Sequence, residues 1–201
     1  MTLLYKAAKE GDITEVRRQL EQGIDSDKLN HTLLEASGAG HSDVVKLLLD
    51  NGAWVNFQDI DESSSLIVAS QNGHSDVVKL LLDNGAQVNL QNNDESSSLI
   101  VASHSGHGDV VKLLLDNGAQ IDLKNKDGFS TLDLTSTPEV IQLLVSLYCI
   151  MTFRNLKCVY KCMCICACVC VSLSRYAGRN ICMVTWISLG CLPLDRPISV
   201  T

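Results

Sequence analysis

The sequence predicts an all-α solenoid: helix pairs stacked one on the next, with extended, β-hairpin-like loops between successive pairs. Three observations carry that expectation. First, almost the same text recurs at a fixed step: GHSDVVKLLLDNGA occupies 40–53 and again 73–86, and GHGDVVKLLLDNGA occupies 106–119. A step of 33 residues falls in the range of stacked repeat architectures. Second, the Val and Leu residues within each copy share one broad helical face. Third, each copy closes on Asn-Gly, because Gly accepts the left-handed backbone needed just past a helix end. One such unit cannot bury its apolar faces alone, whereas stacked neighbours can.

The elements are taken in chain order. TLLYKAAKEGDITEVRRQLEQGID (2–25) reads as a first helix pair, and the step from Gly11 to Gly40 is 29, so the first extended loop is expected to be about four residues short. In the second unit SDVVKLLLD (42–50) is a helix, with Ser42 or Asp43 expected to cap its first N–H groups. AWVNFQDIDE (53–62) is a polar, extended excursion, and SSSLIVAS (63–70) is a shorter apolar helix that starts at Ser64 as cap and ends at Gly73. The next unit repeats this order. DGFSTLDLTSTPEVIQLLVS (127–146) begins a fifth unit that lacks Gly-His and is three residues short. The expected organisation is four units, 1–29, 30–60, 61–93 and 94–126, with a partial fifth at 127–147, then a poorly ordered cysteine-rich tail at 148–201.

The 33-residue unit, with SSLIVASQNGH followed by SDVVKLLLDNGAQVN, resembles the ankyrin repeat. Thr2, Leu4, Ala7, Ala8 and Gly11 fall on the same template. The resemblance implies non-catalytic binding of another protein, as scaffold or adaptor, through the concave face and the loop tips. It also marks departures. The family's Thr-Pro start is Ser64-Ser65 and Ser97-Ser98 here, and its following His is Ile67, Ile100 and Asp133. A stack weaker than a consensus one is therefore expected, by about 1 kcal/mol per lost cap-type interaction.

Residues 61–86 and 94–119 differ only at Gln71/His104, Asn72/Ser105 and Ser75/Gly108. The resemblance places the first two pairs on the concave face. It places Ile60, Asp61 and Ser63, then Asn93, Asp94 and Ser96, then Lys126, Asp127 and Phe129 at the loop tips. Trp54 stands where the family usually has Asp, and reads either as a binding anchor or as a cover for the neighbouring loop.

Composition narrows the partners. Residues 1–148 hold ten Lys/Arg against 22 Asp/Glu, a balance of −12, which opposes nucleic acid because phosphate is repelled. That segment has no cysteine, no Gly-rich phosphate loop and no HExxH, and the recurring His41, His74 and His107 are a full repeat apart, too far to share a metal. No enzyme activity, cofactor or metal is expected. The opening MTLLYKAAKEGD has no basic start followed by an apolar run, so a monomeric protein of the cytoplasm or nucleus is expected, with no membrane partner.

Residues 149–201 differ in kind. They hold all nine cysteines, six Lys/Arg and only Asp195. Cys162, Cys164, Cys166, Cys168 and Cys170 alternate with Met, Ile, Ala and Val. Four readings compete: soft-metal or redox binding by paired thiolates; S-acylation beside Lys161 and Arg175, anchoring an adaptor to a membrane; a two-faced strand; and a translated TG-rich DNA tract, since TGT encodes Cys and GTG encodes Val. The last accounts at once for the charge reversal, the confinement of cysteine and the broken fifth unit, and on that reading residues from about 149 are intron or untranslated sequence.

Overall fold

The computed structural model describes residues 3–135 and 137–153. Residues Met1–Leu144 form one compact unit. Its helices alternate between two rows. The inner row is α1 (Leu3–Glu10), α3 (Ser26–Ala39), α5 (Ser65–Gln71), α7 (Ser98–Ser105) and α9 (Thr131–Leu134). The outer row is α2 (Ile13–Glu21), α4 (Ser42–Asp50), α6 (Ser75–Asp83) and α8 (Gly108–Asp116), followed by α10 (Pro138–Phe153). Each inner helix packs on the next inner one, and α2, α4, α6 and α8 pack likewise in order. The two rows bury a continuous core along the stack. In α6 and α8 it holds Val77, Val78 and Leu81, then Val110, Val111 and Leu114, and between them in the inner row Leu66, Ala69, Leu99 and Ala102. Burial of this apolar face at about 25 cal/mol per Å² is what holds such short helices together.

Local chemistry sets the ends. Ser64 and Ser97 cap α5 and α7, each side chain accepting from the N–H three residues on (Ile67, 3.3 Å; Ile100, 3.4 Å). Ile67 and Ile100 are buried, so the apolar residue that replaces a histidine here packs into the core. Asn51, Asn84 and Asn117 close the outer helices, followed by Gly52, Gly85 and Gly118 with φ of 87°, 84° and 84°.

Two expectations are corrected. Ser42 and Asp43 do not cap α4, since Ser42 is already helical and His41 is the capping residue, with no side-chain bond to the helix. The imidazole reaches the previous unit instead. His41, His74 and His107 meet the carbonyls of Lys9, Gly38 and Gln71, each at 3.0 Å. Their rings lie over Gly11, Gly40 and Gly73, so closely that an added Cβ would meet ring atoms at 2.6 Å. Nor is the first excursion a short extended loop. Only four residues, 22–25, separate α2 from α3, and Asp25 caps α3, its carboxylate accepting from the Asp27 N–H at 3.0 Å. The residues taken for loop form the first turns of a 14-residue helix.

At the other end, α9 has four residues where α5 has seven and α7 has eight. Thr137 takes the place over Gly106 that a histidine holds elsewhere. Helix α10 continues to Phe153, past the 147/148 boundary drawn from the sequence. The cysteine tract and the readings attached to it lie outside the described residues.

Candidate protein-interaction surface

Three excursions project from the stack, each closed by a single antiparallel bridge: Gln58 with Ser64, Gln91 with Ser97, and Lys124 with Ser130. An Asx-type turn shapes each tip. Asp59 Oδ1 accepts from the N–H groups of Asp61 and Ser63, Asn92 Oδ1 from those of Asp94 and Ser96, and Asn125 Oδ1 from that of Phe129. Glu62 and Glu95 occupy the left-handed region, with φ of 54° and 55°, at the position where the third loop has Gly128 with φ of 81°. A non-glycine residue there costs roughly 1–2 kcal/mol.

The loops are tied to one another as well as to the stack. Gln58 Nε2 donates to Glu62 O in its own loop at 2.6 Å and to Gln91 O in the next at 3.1 Å. Gln91 repeats the pattern towards Glu95 O and Lys124 O. The Asn93 N–H donates to Asp61 O at 3.0 Å, and the Lys126 N–H to Asp94 O at 2.9 Å. At the loop bases, Asn30, Asn56 and Asn89 accept through Oδ1 from the N–H groups of Trp54, Gln87 and Gln120 at 2.7–2.9 Å.

Most of the sequence-selected residues sit on this surface. Ile60 is 92% exposed, Trp54 60% and Phe129 48%. Asp61, Asn93, Asp94, Lys126 and Asp127 are exposed, whereas Ser63 is half-buried and Ser96 buried. Two of the set bond a preceding unit through their side chains: Asn72 Nδ2 donates to Gly38 O at 2.8 Å, and Asn93 Nδ2 to Ile60 O at 3.1 Å. Gln71, His104 and Ser105 are exposed at the ends of α5 and α7.

Beside these helix ends lies a cavity of about 210 Å³. Ile100, Val101 and Leu134 supply its apolar lining, and Gln71, Ser96, His104, Ser105 and Asn125 its polar lining. The cavity thus gathers Gln71, His104 and Ser105 with Ser96 of the second loop, and leaves Asn72, the other loop-tip residues and Trp54 apart. Sequence reasoning did not place Ile100, Val101, Asn125 or Leu134 among the site residues. The available signal was the three-residue shortness of the fifth unit.

Inside the stack the hydroxyls of Ser37, Ser70 and Ser103, one repeat apart, are buried with no hydrogen-bond partner, and so are those of Ser65, Ser98 and Thr131. Among the described residues the ion pairs are Lys6–Glu10, Arg18–Glu15 and Lys28–Asp25, all near the first two units. In α2 Arg18 and Gln19 hold the Glu15 carboxyl at about 2 by direct hydrogen bonds. The Ser130 hydroxyl and N–H, donating to Asp133 at 2.6 and 2.8 Å, keep that carboxyl below its ordinary range. Among the described residues no group of three or more His, Cys, Asp or Glu is placed to hold a metal ion, and no helix is long and apolar enough to cross a membrane.

A family model described as Ankyrin repeats, in three copies, matches residues 33–127 and again 66–155. Comparison with curated proteins finds no match.

Proposed function

This chain belongs to the ankyrin-repeat family, and we propose that its stack is a non-catalytic scaffold or adaptor that binds another protein through the inner-helix face and the loop tips. The observation that carries this reading is where exposed apolar surface lies. Among the described residues the exposed large apolar side chains are Leu3 and Ile13 at the starts of α1 and α2, and Trp54, Ile60 and Phe129, which stand open to solvent on the loops. A large apolar side chain at low ordering cost is what an interface uses as an anchor. The carboxylates of Asp61, Glu62, Asp94 and Glu95 line the same ridge, which favours a partner with a basic face and disfavours nucleic acid. A monomeric state and a place in the cytoplasm or nucleus belong to the same proposal.

The test is affinity capture with the full chain. Replacing Trp54, Ile60 and Phe129 together by Ala is expected to abolish capture of partners. Replacing Lys46, Lys79 and Lys112 of the outer helices by Glu is expected to leave it intact. The reverse pattern would place the interface on the outer row and end this reading.

A further inference from the structure

We propose that the cavity between α7 and α9 receives an arginine side chain of the partner protein; this rests on the protein-binding reading above. Its position comes from the shortened fifth unit. Everywhere else an inner helix is flanked by a neighbour of seven residues or more, but α9 stops at four. Among the described residues, the C-terminal half of α7, with Val101, His104 and Ser105, therefore has a shorter inner-row neighbour than the one α7 itself provides for α5.

The chemistry of the lining selects the occupant. At about 210 Å³ the space exceeds the roughly 150 Å³ that admits a benzene ring, so it accommodates one large side chain. Ile100, Val101 and Leu134 suit methylene groups. Gln71, Ser96, Ser105 and Asn125 offer neutral amide and hydroxyl oxygens beside the His104 imidazole, and among the described residues neither a carboxylate nor an ammonium lines the space. A purely apolar or aromatic occupant would strip water from those polar atoms without replacing it. An anion would meet an opposing field: residues 1–148 carry −12, and the flanking loops add Asp94, Glu95 and Asp127 against Lys124 and Lys126. An apolar stem with a cationic head satisfies both halves. Arginine fits better than lysine, because its planar head spreads five donors over several neutral acceptors and sheds water more readily than an ammonium.

The experiment titrates the isotope-labelled full chain with acetyl-Gly-Arg-Gly-amide and with its Lys, Leu and Phe counterparts, following the NMR signals of His104, Ser105 and Leu134. The arginine peptide is expected to shift all three and to bind at least about fivefold more tightly than the Leu and Phe peptides. Its affinity should fall at least about threefold between roughly 0.05 and 0.5 M salt. Gln71→Leu, at an exposed position, should weaken it by about fivefold through one lost acceptor, while Val101→Phe, which fills the space, should abolish the shifts. Tighter binding of the Phe or Leu peptide, indifference to salt, or no shift at His104 because the chain's own residues already occupy the space would each overturn the arginine assignment. The two readings fail separately. Loss of the peptide response with loop-dependent capture intact sinks only this inference, and a peptide response with loop-independent capture sinks only the broader one.

Discussion

Residues 61–86 and 94–119 are nearly the same sequence, and they fold alike: a Ser-capped inner helix, a histidine laid over the previous unit's glycine, and an outer helix whose Val-Val-Leu face is buried at 0–1% exposure. Their C-terminal neighbours set them apart. The first copy is succeeded by a copy of itself, and α5 and α7 close on each other. The second is succeeded by a unit three residues short, and a cavity opens at the end of α7. Two matching sequences thus present different surfaces, because in a stack each unit's outer chemistry is completed by its neighbour.

The comparison can be broken most forcefully in the core. Leu81→Ala, in a unit enclosed on both sides, should cost about 3 kcal/mol, and Leu144→Ala, at the end of the stack, about 2 kcal/mol, because an end site collapses more easily around the void. Urea unfolding of both variants decides it, and equal costs would mean the end unit is as tightly held as the middle. Next come the glycines under the stacked side chains. Gly73→Ala should lose about 2 kcal/mol, since φ is 77° and the new Cβ meets the His107 ring, itself held by its bond to Gln71 O. Gly106→Ala meets only a Thr137 methyl, which can rotate away, and should lose about 1 kcal/mol.

A smaller effect has the opposite sign. Ser70→Ala and Ser103→Ala each remove a buried hydroxyl without a partner and should raise stability by about 1 kcal/mol. Matching gains, read as equal rises in the urea midpoint, would show that the two copies differ only at the surface. The smallest effect belongs to the short unit. Asp133 has a folded pKa below its unfolded value, so its contribution is complete above about pH 4 and fades as pH falls through the lowered value. Asp133→Asn should cost about 0.5 kcal/mol at neutral pH and flatten the acid limb of the stability curve. An unchanged curve would show that the Ser130–Asp133 bonds do not hold α9.

Much of the fold was legible because the repeat states its own rules. The 33-residue step, the Asn-Gly stops and the Ser64 and Ser97 caps are local signals, and each appears where the sequence puts it. The misreadings came from contacts across units. Ser42 looks like a cap only if the helix is considered alone; the His41 ring already spans to Lys9 O. The 29-residue step made the first connection look about four residues short, yet α3 starts at Ser26 and holds Leu29 and Asn30 at buried positions. The loop-tip residues were named from the resemblance; of them Ile60, Asp61, Asn93, Asp94, Lys126, Asp127 and Phe129 are exposed, and Ser63 and Ser96 are not. Val101 and Leu134 were passed over because a cavity made by missing residues leaves no motif.

The glutamine and asparagine bonds that run from one loop to the next have a further consequence. Three projections braced to one another behave as a single pre-set bar. A partner that engages several of them immobilises little that was free beforehand, so ordering entropy subtracts little from its affinity. Cutting one brace, Gln91 for instance, should therefore loosen the grip of residues in the loops on either side, such as Ile60 and Phe129, that never touch it.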